Sequence, residues 1–264
     1  MKKISLFIVA FLATMLMGLN AQIVKWDFST MPGGSGNYGT SPLEPVSSDE
    51  NLTVGDLTRN WSPSATGSGA QYAWGGNNFT ATTFDDAVAA NEFVTFSLTA
   101  NDGYKLSVAS IGEYNIRRSA TGPSTGQWQY QIGAGSFVDI GASITWGTVT
   151  SAAGNPQAIV DVSAISELQN VAAGTTVTFR LVVWGATGTG GTFYFNDSSS
   201  AQAVLGLSVL GEVQVSNSLG QHTVDKGVVT GIFNLLGQSL KKSPEKGFYI
   251  VTYSNAKPEK ILAK

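Results

Sequence analysis

The stretch Phe93-Val94-Thr95-Phe96-Ser97-Leu98-Thr99-Ala100, closed by Asn101-Asp102-Gly103, decides the fold class. Val94, Phe96, Leu98 and Ala100 alternate with Thr95, Ser97 and Thr99, a period of two that gathers the apolar side chains on one face of an extended strand. Asn101-Asp102-Gly103 supplies the turn, because these residue types accept the backbone angles that reverse a chain.

Outward from this strand the alternation recurs. Val177, Phe179, Leu181 and Val183 share one face, and Leu205, Leu207, Val209 and Val213 share another, which predicts two central core strands. Shorter strands are expected over residues 23–28, 104–116, 128–132, 137–140, 144–150, 158–162 and 193–195, each bounded by Gly, Asn or Pro. Residues 29–70 read as surface loops, and helical signals are confined to residues 85–91 and 162–168. Short, regularly spaced strands with so little helix predict an all-β fold, an antiparallel two-sheet sandwich of jelly-roll type over residues 22–213. A linker over residues 214–226 and a small C-terminal β domain over residues 227–264 follow.

Lys2 and Lys3 precede an apolar run from Ile4 to Leu19, then Asn20 and small Ala21. This is the pattern of a cleavable signal peptide over residues 1–21. The run is too short for a membrane anchor of about 20 apolar residues, so no transmembrane segment is expected in the mature protein. The 31 glycines and only 12% charged residues suit an extracellular β domain. A net charge of −3 speaks against nucleic acid as a partner, and the absence of cysteine leaves the hydrophobic core to hold the fold without disulfides.

Asn91-Glu92-Phe93-Val94-Thr95-Phe96, Gly103-Tyr104, the Arg117-Arg118-Ser119-Ala120-Thr121-Gly122-Pro123 segment, Val177 to Leu181 and the run from Gly191 to Val213 together resemble the secreted jelly-roll modules of bacterial surface proteins. These are distantly similar to carbohydrate-binding and concanavalin-like sandwiches. The resemblance implies fold more than function, because such sandwiches host many roles.

At the C-terminus, Phe233-Asn234-Leu235-Leu236-Gly237-Gln238, then Lys246-Gly247-Phe248-Tyr249-Ile250-Val251 and Lys260-Ile261-Leu262-Ala263-Lys264, is similar to the type A sorting domain of type IX secretion substrates. Asn234, Gly237, Gln238, Lys246, Gly247, Tyr249, Lys260 and Lys264 carry the likeness. The Asn-Pro element that often opens that domain is absent, since Asn217 has no following Pro. The resemblance implies the type IX machinery as a partner, passage across a Gram-negative outer membrane, and release or attachment at the cell surface.

Catalysis is poorly supplied. Nucleophilic hydrolases need an imidazole beside the nucleophile, and the one histidine, His222, falls in the expected linker. Glycoside hydrolysis needs two facing carboxylates, yet the Glu-x-Asp-x-Glu strand of concanavalin-like glycanases has no counterpart. Glu92 and Glu113 stand alone, as solvated strand-end residues. A glycan-cleaving enzyme is the least favoured reading.

Sugar binding asks instead for flat aromatic faces and a few polar groups. Trp61, Tyr72 and Trp74 in loop-like surroundings, Trp146 and Trp184 at strand ends, and Arg117 are the candidates, with some of the tryptophans expected at the surface. Arg118, of inward parity, reads as a pin for the Thr121-Gly122-Pro123 turn, with a sugar or carboxylate clamp as the functional alternative. Asp85-Asp86 and Asn196-Asp197 offer oxygens suited to a structural Ca²⁺, with turn and helix-cap readings beside it; no other cofactor is expected. The sequence therefore predicts a non-catalytic exported protein that binds a glycan or matrix partner through sandwich loops, with a structural or adhesive envelope role as the alternative.

Overall fold

A computed structural model of the protein describes residues 21–197, 206–216, 228–244, 246–254 and 257–263. Residues 1–20 of the expected signal, Leu205, His222 and Lys264 lie outside them, as does most of the expected linker. The chain divides into two units, Met1–Ser216 and Asn217–Lys264.

The first unit is an all-β antiparallel sandwich. Its main elements are β1 (Ala21–Trp26), β2 (Leu52–Arg59), β3 (Ala73–Gly76), α1 (Phe84–Ala89), β4 (Phe93–Ala100), β5 (Tyr104–Ile111), β6 (Tyr114–Arg118), β7 (Thr125–Ile132), β8 (Val138–Asp139), β9 (Asn155–Gln157), β10 (Val160–Asp161), β11 (Thr176–Trp184), β12 (Phe193–Asn196) and β13 (Leu207–Val215). One layer is the sheet β8-β7-β11-β4-β2. The other is two sheets placed end to end, β10-β5-β13-β1 and β9-β6-β12-β3, because β5 passes into β6 across Gly112-Glu113 and β9 into β10 within two residues. The expected second sheet is thus a layer broken across its middle.

The stretch that decided the class behaves as its alternation requires. Val94, Phe96, Leu98 and Ala100 are buried, while Thr95, Ser97 and Thr99 face outward and stay half-exposed. Phe96 stacks on Phe179 of the neighbouring strand at 5.2 Å and meets Trp26 of the opposite layer at 4.9 Å. Trp128 meets Tyr114 edge-on at 6.0 Å. Each fully buried side chain of this size contributes about 1.5–3 kcal/mol, so these inner faces hold the cysteine-free fold.

Several boundaries differ from the sequence reading: the expected strand 104–116 is two, β5 and β6, and of residues 144–150 only Ile144–Thr145 is extended. Residues 52–59, expected as loop, form an edge strand whose register slips between Gly55 and Thr58. That bulge puts Leu52 and Leu57 on one face five residues apart, so no period of two is visible. β13 runs through Gln214 and Val215, which pair with Lys105 and Tyr104, and so enters the expected linker. Of the two helical signals, residues 84–89 form α1, and the other is only a 3₁₀ turn at Ser166–Leu168.

The second unit is a three-stranded antiparallel sheet, β14 (Val229–Phe233), β15 (Gly247–Tyr253) and β16 (Glu259–Ala263), with β15 in the centre. Among the described residues no helix is long and apolar enough to cross a membrane.

Candidate functional site

The candidate tryptophans fall mostly inside the core. Trp61, Trp74 and Trp146 are all buried, which corrects the expectation of surface indoles in the loops. The Trp61 Nε1–H donates to the Asn77 carbonyl at 3.0 Å, and the Trp74 Nε1–H to the Thr40 carbonyl at 2.6 Å. Loop segments thus close over the rings and satisfy their polar edges from their own backbone. Trp61 packs on Phe79, Trp74 on Phe28 and Phe195, and Trp146 on Phe193. The structure brings these three together as core. Trp184 is half-buried under α1, edge-on to Phe84 at 5.6 Å. Tyr72 alone is open to solvent, at 40% exposure.

Arg117 and Arg118 point to opposite faces, as alternation requires. Arg118 donates from Nε to the Pro123 carbonyl at 2.8 Å, and from Nη2 to the carbonyls of Gly122 at 2.7 Å and Ala120 at 3.3 Å. It is the turn pin that the sequence predicts. Arg117 lies outward and half-exposed, opposite Tyr194 on β12.

The acidic pairs serve the backbone. The Thr83 hydroxyl caps α1 by accepting the Asp86 amide at 3.3 Å and donates to the Asp86 carboxylate at 2.7 Å, and Asp85 shares the first helical turn. Asn196 Nδ2 donates to the Ala152 carbonyl, and Asp197 accepts the amides of Phe28 at 2.8 Å and Gly206 at 2.6 Å. Among the described residues no group of three or more His, Cys, Asp or Glu side chains is placed to hold a metal ion. Glu92, expected at a solvated strand end, is buried instead, its carboxylate accepting the Thr80 amide at 2.6 Å and hydroxyl at 2.8 Å, and the Ala81 amide at 3.1 Å.

The surface with most chemistry is the outer face of the sheet β8-β7-β11-β4-β2. Strand register lays its outward residues in transverse rows. One row is Thr53, Thr99 and Thr176. The next is Gly55, Ser97, Thr178 and Gln131. A third is Thr58, Thr95, Arg180, Gln129 and Asp139, in which Gln129 is buried beneath its neighbours. Arg180 donates from Nε to Gln129 Oε1 at 2.6 Å, and Gln129 Nε2 donates to Asp139 Oδ1 at 2.6 Å. The Arg180 guanidinium carbon lies 3.7 Å from the Phe137 ring centre and 5.1 Å from that of Phe93. Burial pushes the Arg180 pKa down and Asp139 opposes that shift. The sequence signal of this face is the repetition of Thr, Ser and Gln at outward parity on three strands, which becomes a surface only once register is known.

A second polar feature is a cleft of about 400 Å³ beside Arg59, Asn37 and Ser64. In the second unit, Asn234 Oδ1 accepts the amides of Leu236 at 3.0 Å and Gln238 at 2.9 Å, and Gly237 turns with a φ of 78°. Gly247 opens β15 at a φ of 94°, Tyr249 lies within that strand, and Lys260 Nζ on β16 stands 4.4 Å from the Phe248 ring centre. Lys246 is exposed just before β15. No family model, no curated protein and no solved structure matches the chain.

Proposed function

We propose that this is an exported, non-catalytic module that binds a glycan on the outer face of the sheet β8-β7-β11-β4-β2. The observation that carries the reading is the register of three hydroxyl and amide rows around Arg180, flanked by Phe93 and Phe137. Hydroxyl, amide and guanidinium groups at about 5 Å strand spacing match the repeat of hydroxyls along a sugar chain. The aromatic rings supply apolar edges for the pyranose faces. The charge of Arg180 is balanced by Asp139 through Gln129, which favours a neutral sugar. The location differs from the loops expected from sequence, because the loop tryptophans are buried.

The signal-like N-terminus and the Asn234-to-Lys264 motifs support export through a type IX route to the cell exterior or the outer-membrane surface. Retention of the full chain on a panel of neutral polysaccharides tests the binding. Binding that vanishes in a Thr95→Val, Thr178→Val double variant of unchanged fold supports the reading. Absence of retention on every glycan, or retention indifferent to those substitutions, refutes it and favours the structural or adhesive role.

A further inference from the structure

Arg59 ends the edge strand β2 and lines the 400 Å³ cleft. Its Nη1 donates to the carbonyls of Tyr38 and Gly75, and its Nη2 to that of Gly39 at 2.5 Å. The Trp74 ring covers one side, its centre 5.0 Å from the guanidinium carbon. Gly39 passes so close to that indole that a Cβ there would lie 2.7 Å from the ring, and its φ is 86°. Glycine is therefore needed to bring the carbonyls of this loop onto the guanidinium.

Those three bonds leave two of the five guanidinium N–H groups, Nε–H and one on Nη2, without an acceptor among the described residues. The free N–H groups on Nε and Nη2 are donors left for an anion, and hydrogen bonds from an ionised donor to a carboxylate are the strong ones. No carboxylate among the described residues pairs with Arg59. Burial lowers its pKa to about 10, and the one electrostatic neighbour opposing that shift is Tyr194. A cation half withdrawn from water without a counter-charge is unfavourable, and an arriving anion relieves it. Arg180 has Asp139 through Gln129, and Arg118 is closed over by its own turn; Arg59 faces a cleft.

The lining narrows the carrier of that anion. Asn37, Thr40 and Ser64 and a glycine-rich backbone offer partners for hydroxyls, while Tyr38 and Pro63 give only a small apolar edge. A cleft of this size holds one or two sugar rings, at the small end of ligand sites of about 300–1,000 Å³. We propose that the Arg59 cleft binds the carboxylate of an acidic sugar, a uronic acid unit of a polysaccharide. The choice of a sugar as carrier rests on the glycan-binding reading above; the choice of a carboxylate rests on Arg59 alone.

The chain has four arginines, so arginine Nε–H signals in nuclear magnetic resonance are few enough to follow singly. The full chain is titrated with trigalacturonate, with its methyl ester, and with acetate, and the Arg59 signal is assigned by its loss in Arg59→Lys. The expected result is a saturable shift of the Arg59 signal with trigalacturonate, and at least tenfold weaker responses to the ester and to acetate. An Arg59 signal that does not move, or that responds equally to the ester, overturns the proposal. Equal saturation by acetate overturns its sugar component. Arg59→Lys keeps the charge but not the guanidinium donors, and is expected to lose the preference for the acid over the ester. Where that variant does not fold, the Arg59 Nε–H signal is assigned in wild type by through-bond correlation to its own backbone amide, and the wild-type comparison then decides. Retention of neutral glycans, and its loss in the Thr95→Val, Thr178→Val variant, is scored separately, so failure of the sheet-face reading is distinguishable from failure at Arg59.

Discussion

The Arg180 guanidinium carbon sits over the Phe137 ring, 3.7 Å from its centre, while its Nε–H is held by Gln129. A cation held over a ring and by a hydrogen bond in this way is ordered before any ligand arrives, which lowers the entropy cost of binding. Lysine can neither stack as a plane nor bond Gln129 along a fixed edge. Arg180→Lys is expected to weaken glycan retention about tenfold, the 1.4 kcal/mol of one ordered polar contact. Stability should fall by less than about 1 kcal/mol, because the site is half-exposed. Affinity electrophoresis and urea unfolding on the same variant separate the two; equal affinity for wild type and variant removes Arg180 from the site.

Inside the sandwich, the Trp128 Nε1–H donates to the Tyr114 hydroxyl at 3.0 Å, and both residues are buried. Burial pushes the Tyr114 phenol well above its usual range, so it stays protonated at every working pH. Tyr114→Phe leaves the indole donor unmatched with almost no change in volume. A destabilisation of about 1–3 kcal/mol is expected, read as a lower urea midpoint at unchanged slope. A variant as stable as wild type would mean that Trp128 finds another acceptor.

The parts of the fold legible in the sequence are those where apolar alternation survives without interruption. Val94 to Ala100 and Val177 to Val183 carry their phase locally, so both core strands and their inward faces were readable. The edge strand at Leu52–Arg59 was not, because its bulge puts the buried leucines out of phase. The loop tryptophans misled for a related reason. Gly, Ser and Pro around Trp61 and Trp74 mark irregular backbone, but burial depends on which segment crosses above, and here Thr40 and Asn77 cap the indoles. The rows around Arg180 needed cross-strand register, which residue spacing along one strand does not contain.

Asp27 and Asp197 should make stability depend on pH. Burial raises the Asp197 pKa and the neighbouring Asp27 adds to the rise, while the amides of Gly206 and Phe28 only partly oppose it. Burial also pushes Asp27 upward, but hydrogen bonds from Ser29, together with Lys25 and the contact with Asp197, leave its pKa below the ordinary value. The Asp197 contribution is fully present below the usual carboxylate pKa of about 4 and is lost as pH rises through its elevated folded value. Asp27 acts in the opposite sense, its stabilisation being lost as pH falls through its depressed value. Asp27→Asn removes the repelling charge and offers an N–H to ionised Asp197. Urea unfolding at pH 4 and pH 8 should therefore show a smaller loss toward high pH in the variant than in wild type. Identical pH slopes would exclude coupling between the two carboxyls.

In the second unit, the Asn234 side chain organises the turn that follows β14, accepting two amides through Oδ1 and donating from Nδ2 to Gln238 Oε1 at 2.7 Å. Such a side chain stands in for a turn of backbone and competes well with water only when both accepted bonds form together. Asn234→Ala removes all three, whereas Asn234→Asp keeps the two accepted ones. Hydrogen exchange at the Leu236 and Gln238 amides is expected to quicken about tenfold in the alanine variant, the equivalent of 1.4 kcal/mol, and to stay near wild type in the aspartate variant. On the proposed type IX export, a reporter carrying this unit in a type IX secreting host should follow the same order where the turn's shape, rather than the Asn amide itself, is recognised; a reporter that the wild-type unit does not export would remove that proposal. Export lost in both variants, with exchange preserved in Asn234→Asp, would assign recognition to the Asn side chain directly.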